Sequence, residues 1–127
     1  MEHLFSRHYT LEEARALLPQ IRRWLQELTE LRGQLQKSER QLQAIMDQGG
    51  DAGGDLVNGW VRALAGFRTV LAEFERREIQ LKDIGRGLLD FPAIIGGREV
   101  FLCWEKDEED IEYWHDLDAG YAGRERL

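Results

Sequence analysis

Residues 17–54 read LLPQIRRWLQELTELRGQLQKSERQLQAIMDQGGDAGG, and this stretch decides the fold. Leu17, Ile21, Trp24, Leu28, Leu31, Leu35, Leu42 and Ile45 follow in alternating steps of four and three, with polar Ser38 filling the one missing seam position. That spacing places a single apolar stripe along one face of a helix, the a/d pattern of a helix that packs on another. Arg22, Arg23, Gln26, Glu27, Glu30, Arg32, Gln36 and Lys37 lie between the seam positions and supply a solvated face. The run then meets Gln48-Gly49-Gly50-Asp51-Ala52-Gly53-Gly54, four glycines in seven residues. So many glycines make a continued helix entropically costly, so the segment reads as a turn.

Beyond the turn the stripe returns. Val57, Trp60, Leu64, Phe67, Leu71, Phe74, Glu78 and Leu81 keep heptad spacing, with Glu78 the polar intruder and Asp55 a candidate N-cap. The arms run from Pro19 to about Asp47 and from Asp55 to about Lys82, each about 40 Å at 1.5 Å per residue. Matched arms on a short glycine loop should fold back antiparallel. Gly59 and Gly66 suggest close packing along the second arm. Upstream, Thr10-Leu11-Glu12-Glu13 forms a capping box that starts a helix at Leu11. Pro19 removes one N–H and crowds the carbonyl of Arg15, which predicts a kink or break near Leu18.

Downstream, composition shifts at Gly85-Arg86-Gly87. Residues 88–95 and 100–104 are apolar runs, and Gly96-Gly97 between them suits a two-residue hairpin turn with positive φ. Pro92 cannot donate to a ladder, so its strand needs an edge or a bulge. A lone hairpin is marginal in water, so it must pack on the helices or gain a strand elsewhere. The acidic run Glu105 to Asp110 reads as a solvated loop. The predicted fold is mainly α within the α+β class. A long antiparallel helical hairpin (10–83) carries a small C-terminal β-hairpin and an ordered tail (84–127), together one domain over 1–127.

Composition narrows function by exclusion. The net charge of −7 over 127 residues gives no global attraction for phosphate backbones, so nucleic-acid binding is not expected. No apolar run approaches the roughly 20 residues needed to span a bilayer. Cys103 is the only cysteine, which excludes an intrachain disulfide and suits a reducing compartment. Met1 to Phe5 carry no basic segment followed by an apolar one, so the expectation is a cytoplasmic protein. Trp24, Trp60, Phe67 and Phe74 are more aromatic surface than two helices can bury. Either the β-hairpin and tail cover it or a second hairpin does, and the expected assembly is a homodimer with room for a further protein partner.

Several segments also carry a resemblance. They are Tyr9-Thr10-Leu11-Glu12-Glu13-Ala14, Leu17-Leu18-Pro19, Lys82-Asp83, Gly87-Leu88-Leu89-Asp90-Phe91-Pro92-Ala93, Gly97-Arg98-Glu99-Val100, Leu102-Cys103-Trp104 and the tail from Trp114 to Arg124. In this order they resemble an uncharacterised bacterial group, the domain-of-unknown-function family 2203, over nearly the whole chain. The resemblance implies no activity, substrate or cofactor.

The tail Trp114-His115-Asp116-Leu117-Asp118 is the candidate site. An imidazole among carboxylates can hold a divalent metal or move protons. In a helix His115 and Asp118 would share a face; in a strand Asp116 and Asp118 would. Neither pair completes a ligand set, so Asp90, Glu105, His3 or His8 would have to converge on it. Asp90 interrupts an apolar run and, if buried, needs a partner such as Arg86, Arg98 or Arg124. Cys103 could act as a nucleophile only with a base, for which His115 is available; a buried inert thiol is the simpler reading. Trp114 would anchor the tail, which is expected to be ordered and docked around Asp90 and Arg98. Two functions follow from this reading. One is a structural or protein-interaction module built on the hairpin. The other is a small metal-binding protein or enzyme with a site at His115, Asp116, Asp118 and Asp90.

Overall fold

The computed structural model describes residues 2–51 and 53–127. Ala52, in the glycine turn, and Met1 lie outside the described residues. Two helices, α1 (Leu11–Asp47) and α2 (Gly54–Arg76), form the antiparallel hairpin. Five strands follow as an antiparallel meander in chain order: β1 (Gln80–Asp83), β2 (Leu88–Ile95), β3 (Arg98–Trp104), β4 (Tyr113–Asp116) and β5 (Glu125–Arg126). No helix among the described residues is long and apolar enough to cross a membrane.

The capping box forms as its residues dictate. Thr10 Oγ1 accepts from the Glu13 N–H at 3.1 Å, and the Glu13 carboxylate accepts from the Thr10 N–H at 2.9 Å. The expected break at Pro19 does not occur: α1 runs through it. Pro19 and Arg15 both lie on the exposed face, so the carbonyl freed by the missing N–H meets solvent, while Leu18 and Ile21 on the other face are held in the core. Asp55 does not cap α2. The cap position is Gly53, with no side-chain hydrogen bond, and Asp55 falls in the first turn.

α2 also ends earlier than the heptad spacing predicts. Glu78 adopts φ 58°. The Ile79 N–H reaches the carbonyl of Phe74 at 3.0 Å and the Glu78 N–H reaches that of Glu75 at 3.0 Å. This is a Schellman termination with glutamate at the left-handed position, and Ile79 buries against the last turn. Leu81, the expected last seam residue, is therefore in β1. The arms are unequal, 37 and 23 residues. Of the two glycines in α2 expected to pack closely, Gly66 faces Leu31 so closely that a Cβ would lie 3.3 Å from its Cδ2, whereas Gly59 meets nothing within 4 Å.

The hairpin turn at Gly96 and Gly97 forms as predicted, with φ 59° and 77° and Ile95 opposite Arg98. The hairpin gains β1 on one side and β4 and β5 on the other. Pro92 lies beyond the last residue paired with β1, and its carbonyl accepts from the Tyr9 N–H at 2.7 Å. Its missing N–H faces this edge, so no ladder bond is lost.

β2 and β3 are apolar on both faces, and each face has its own cover. Leu89, Phe91, Ala93, Val100, Leu102 and Trp104 join Ala14, Leu18, Ile21, Trp24, Leu25, Leu28, Val70 and Phe74 in one core against the helices. Trp24 meets Phe74 edge-on at 5.4 Å, and both are buried in the core that the sheet residues complete. Trp60, nearer the tip, is only half-buried, and its Nε1 reaches Glu39 at 3.5 Å. The opposite face carries Asp90, Phe101, Cys103 and His115. The N-terminal arm crosses it: Phe5 meets Phe101 edge-on at 5.4 Å, and the Leu4 and Phe5 N–H groups donate to the Glu99 carboxylate at 2.7 and 3.0 Å. Burial would raise the Glu99 pKa, but the bonds from His8, Phe5 and Leu4 prevail and hold it at about 2.

The acidic run is more than a solvated loop. Arg22 donates to the carbonyls of Lys106 and Glu108 at 2.6 and 3.0 Å, Arg15 binds Asp110 at 2.7 Å, and Arg86 binds Glu105 at 2.6 Å. Trp104 Nε1 donates to the Glu108 carbonyl at 3.0 Å. Arginines on α1 and on the β1–β2 turn thus hold the loop against the sheet.

Candidate functional site

Strand alternation and register build the site. Once the two-residue turn sets Ile95 against Arg98, five steps along each strand bring Asp90 opposite Cys103. β4 pairs with β3 so that His115 lies opposite Phe101, one diagonal step from Cys103 on the same face. One ligand atom each from Asp90, Cys103 and His115 lies within 4.8 Å of the others, and all three residues are buried.

His115 Nδ1 lies 2.8 Å from the carbonyl of Asp116. A carbonyl only accepts, so Nδ1 carries the proton and donates. Nε2 then faces Asp90 Oδ1 at 3.0 Å, with the two side chains 2% and 5% exposed. Either one proton or one cation must lie between them, because two bare acceptors would repel. The Cys103 thiol is pushed up to about 12 by burial, reinforced by the negative charge of Asp90. Both imidazole nitrogens are committed, and the thiol is held protonated. Burial of Cys103 fits the simpler reading of an inert thiol, and a nucleophile activated by His115 would need that imidazole released from Asp90.

The three groups lie at a cavity of about 290 Å³, walled by Leu88, Phe101, Leu117, Ala119 and Tyr121, with Lys82 beside them. A larger open cleft of about 630 Å³ runs along β1 and α2, past Arg32, Glu75 and Glu78. It brings no set of three metal-ligating groups together among the described residues.

A model of the family described as "Uncharacterized conserved protein (DUF2203)" matches residues 7–127. The chain belongs to the DUF2203 family. No curated protein and no solved structure matches it.

In this DUF2203 chain Asp116, Asp118, Arg98 and Trp114 stand apart from the buried cluster, whereas the Arg124 guanidinium reaches the Cys103 thiol. Asp116 alternates to the opposite side of β4 and pairs with Arg98 at 2.8 Å, and Arg98 lies over the Trp114 ring at 5.7 Å. Asp118 is exposed, beyond the end of β4. Trp114 packs at the margin of the helix-facing core. Arg124 binds Glu108 at 3.0 Å and stacks on Tyr113 and Tyr121 at 4.0 and 4.1 Å. The partner of Asp90 is thus His115, and none of the arginines expected for it. Glu105 is taken by Arg86. His3 and His8 gather at Glu99 instead of the tail.

Cys103 is the ligand-type residue that the sequence reading set aside as inert. Its signal was present: a hairpin turn at Gly96-Gly97 fixes Cys103 opposite Asp90. Lys82 had no comparable signal, because β1 is four residues long and bulged between Leu81 and Asp83.

Proposed function

We propose that Asp90, Cys103 and His115 bind a borderline-soft divalent metal of the zinc class, and that the chain is a small metal-binding protein. One observation carries this reading: a carboxylate, a thiol and an imidazole from three adjacent strands converge, all buried, at the wall of a cavity. Mixed N, O and S ligands suit zinc, and three protein ligands leave a coordination position for a water or a small molecule. The His115 Nδ1–H bond to a backbone carbonyl is the outer contact that orients a metal-binding imidazole through Nε2. An ion there would also convert the protonated thiol to a thiolate. The test is metal analysis of protein purified without a histidine tag. Stoichiometric zinc, diminished in Cys103→Ser and Asp90→Asn, supports the reading. Absence of metal, with no rise in Tm on adding zinc, contradicts it.

A second reading rests on a different observation. Val57 and Val61 are exposed on α2 beside half-buried Trp60, and Met46 is exposed at the end of α1. An apolar strip on a projecting hairpin suits an interaction module that dimerises through its helices. Light scattering at high micromolar concentration decides this: a dimer mass that Val61→Glu reduces to monomer supports it, and a monomer mass for the unmodified chain refutes it.

A further inference from the structure

A second cluster of metal-ligating side chains lies at the other end of the same sheet face. Glu99 stands two residues before Phe101 and four before Cys103 on β3, so all three share a face. Its side chain is only 8% exposed, and its Oε2 meets His8 Nε2 at 2.7 Å. The Leu4 and Phe5 N–H groups bind one oxygen each and fix the plane of the carboxylate. The His3 ring meets the His8 ring edge-on, with centroids 5.0 Å apart. One ligand atom from each of His3, His8 and Glu99 lies within 4.8 Å of the others.

We propose that His3, His8 and Glu99 form a separate site for a divalent transition metal such as zinc, which fastens the N-terminal arm across the sheet. Two imidazoles and a carboxylate are a complete three-ligand set for zinc. The backbone N–H groups on Glu99 supply the outer hydrogen bonds that hold a ligating carboxylate in place. His3 is exposed and has room to turn toward the ion. The ion would tie residues 3–8 to β3 and so hold Phe5 on Phe101, whose ring also lies 5.5 Å from that of His115. No residue is shared with the buried cluster, so the two sites can be separated by mutation.

The experiment is a calorimetric titration of zinc into the full, tag-free chain after chelator treatment, beside His3→Ala and Cys103→Ser. His3 has an exposed side chain, so its loss should not disturb folding. The expected result is that His3→Ala loses one equivalent, or binds it at least about tenfold more weakly, while Cys103→Ser keeps it. Zinc should also slow proteolysis of the arm in the unmodified chain and in Cys103→Ser, but not in His3→Ala. If His3→Ala takes up zinc with unchanged stoichiometry and affinity, the arm site is overturned. If Cys103→Ser alone leaves stoichiometry unchanged, the buried-site reading fails and the arm site stands.

Discussion

At the scale of the residue, positive φ and crowding are separable costs. Gly87 and Gly97 have φ of 62° and 77°, yet only Gly87 is enclosed: a Cβ there would lie 2.6 Å from Lys106 Cβ. Gly97→Ala should cost about 1–2 kcal/mol, from the left-handed backbone alone. Gly87→Ala adds overpacking and should cost about 2–5 kcal/mol in all. Urea denaturation of the two variants checks the order; equal losses would show that Lys106 yields freely. The same scale explains how far the site was legible. Asp90 stands out in the sequence as a polar group in an apolar run, and His115 as an imidazole beside carboxylates. Asp116 and Asp118 looked equal to them because the chain does not announce which face a short strand presents. Alternation sends Asp116 to Arg98, and β4 ends before Asp118.

At the scale of the element, burial along the hairpin is graded. Leu28 is completely buried, whereas Leu35, two helical turns toward the tip, is half-exposed. Leu28→Ala should cost about 2–5 kcal/mol, and Leu35→Ala distinctly less, as thermal or chemical denaturation would register. The stripe on α1 was readable because its period and its burial agree. The end of α2 was not, since Phe74, Glu78 and Leu81 keep the spacing across a Schellman turn that only the Ile79 bond to Phe74 reveals. The acidic loop makes a pH prediction. The Asp110 pKa is lowered by the Arg15 guanidinium and by the Ile111 N–H. Its folded value lies below its unfolded one, so it stabilises the fold above the ordinary carboxylate range and loses that effect as pH falls through the folded value. Protection of the Ile111 amide against hydrogen exchange should therefore drop below about pH 4, and Asp110→Ala, which removes the acceptor of the Ile111 N–H, should show low protection at every pH. A pH-independent protection factor in the unmodified chain would contradict the assignment.

At the scale of the whole molecule, the sheet is the organiser. One face completes the helical core, including Trp24 and Phe74, and the other is closed by the N-terminal arm and the tail. The hairpin and the Gly96-Gly97 turn were legible because each is set by local sequence. The five-stranded closure was not, because β1, β4 and β5 have four, four and two residues and acquire their order only from neighbours far along the chain. That closure brings Asp90, Cys103 and His115 together, where we propose that they bind a metal. Cobalt(II) reports on this binding directly, since a thiolate bound to cobalt absorbs in the near ultraviolet and a free thiol does not. Added to chelator-treated, tag-free protein, one equivalent should produce this absorption band, and Cys103→Ser should abolish it while retaining the fold. No band in the unmodified protein, or the same band in Cys103→Ser, would rule out metal binding through Cys103.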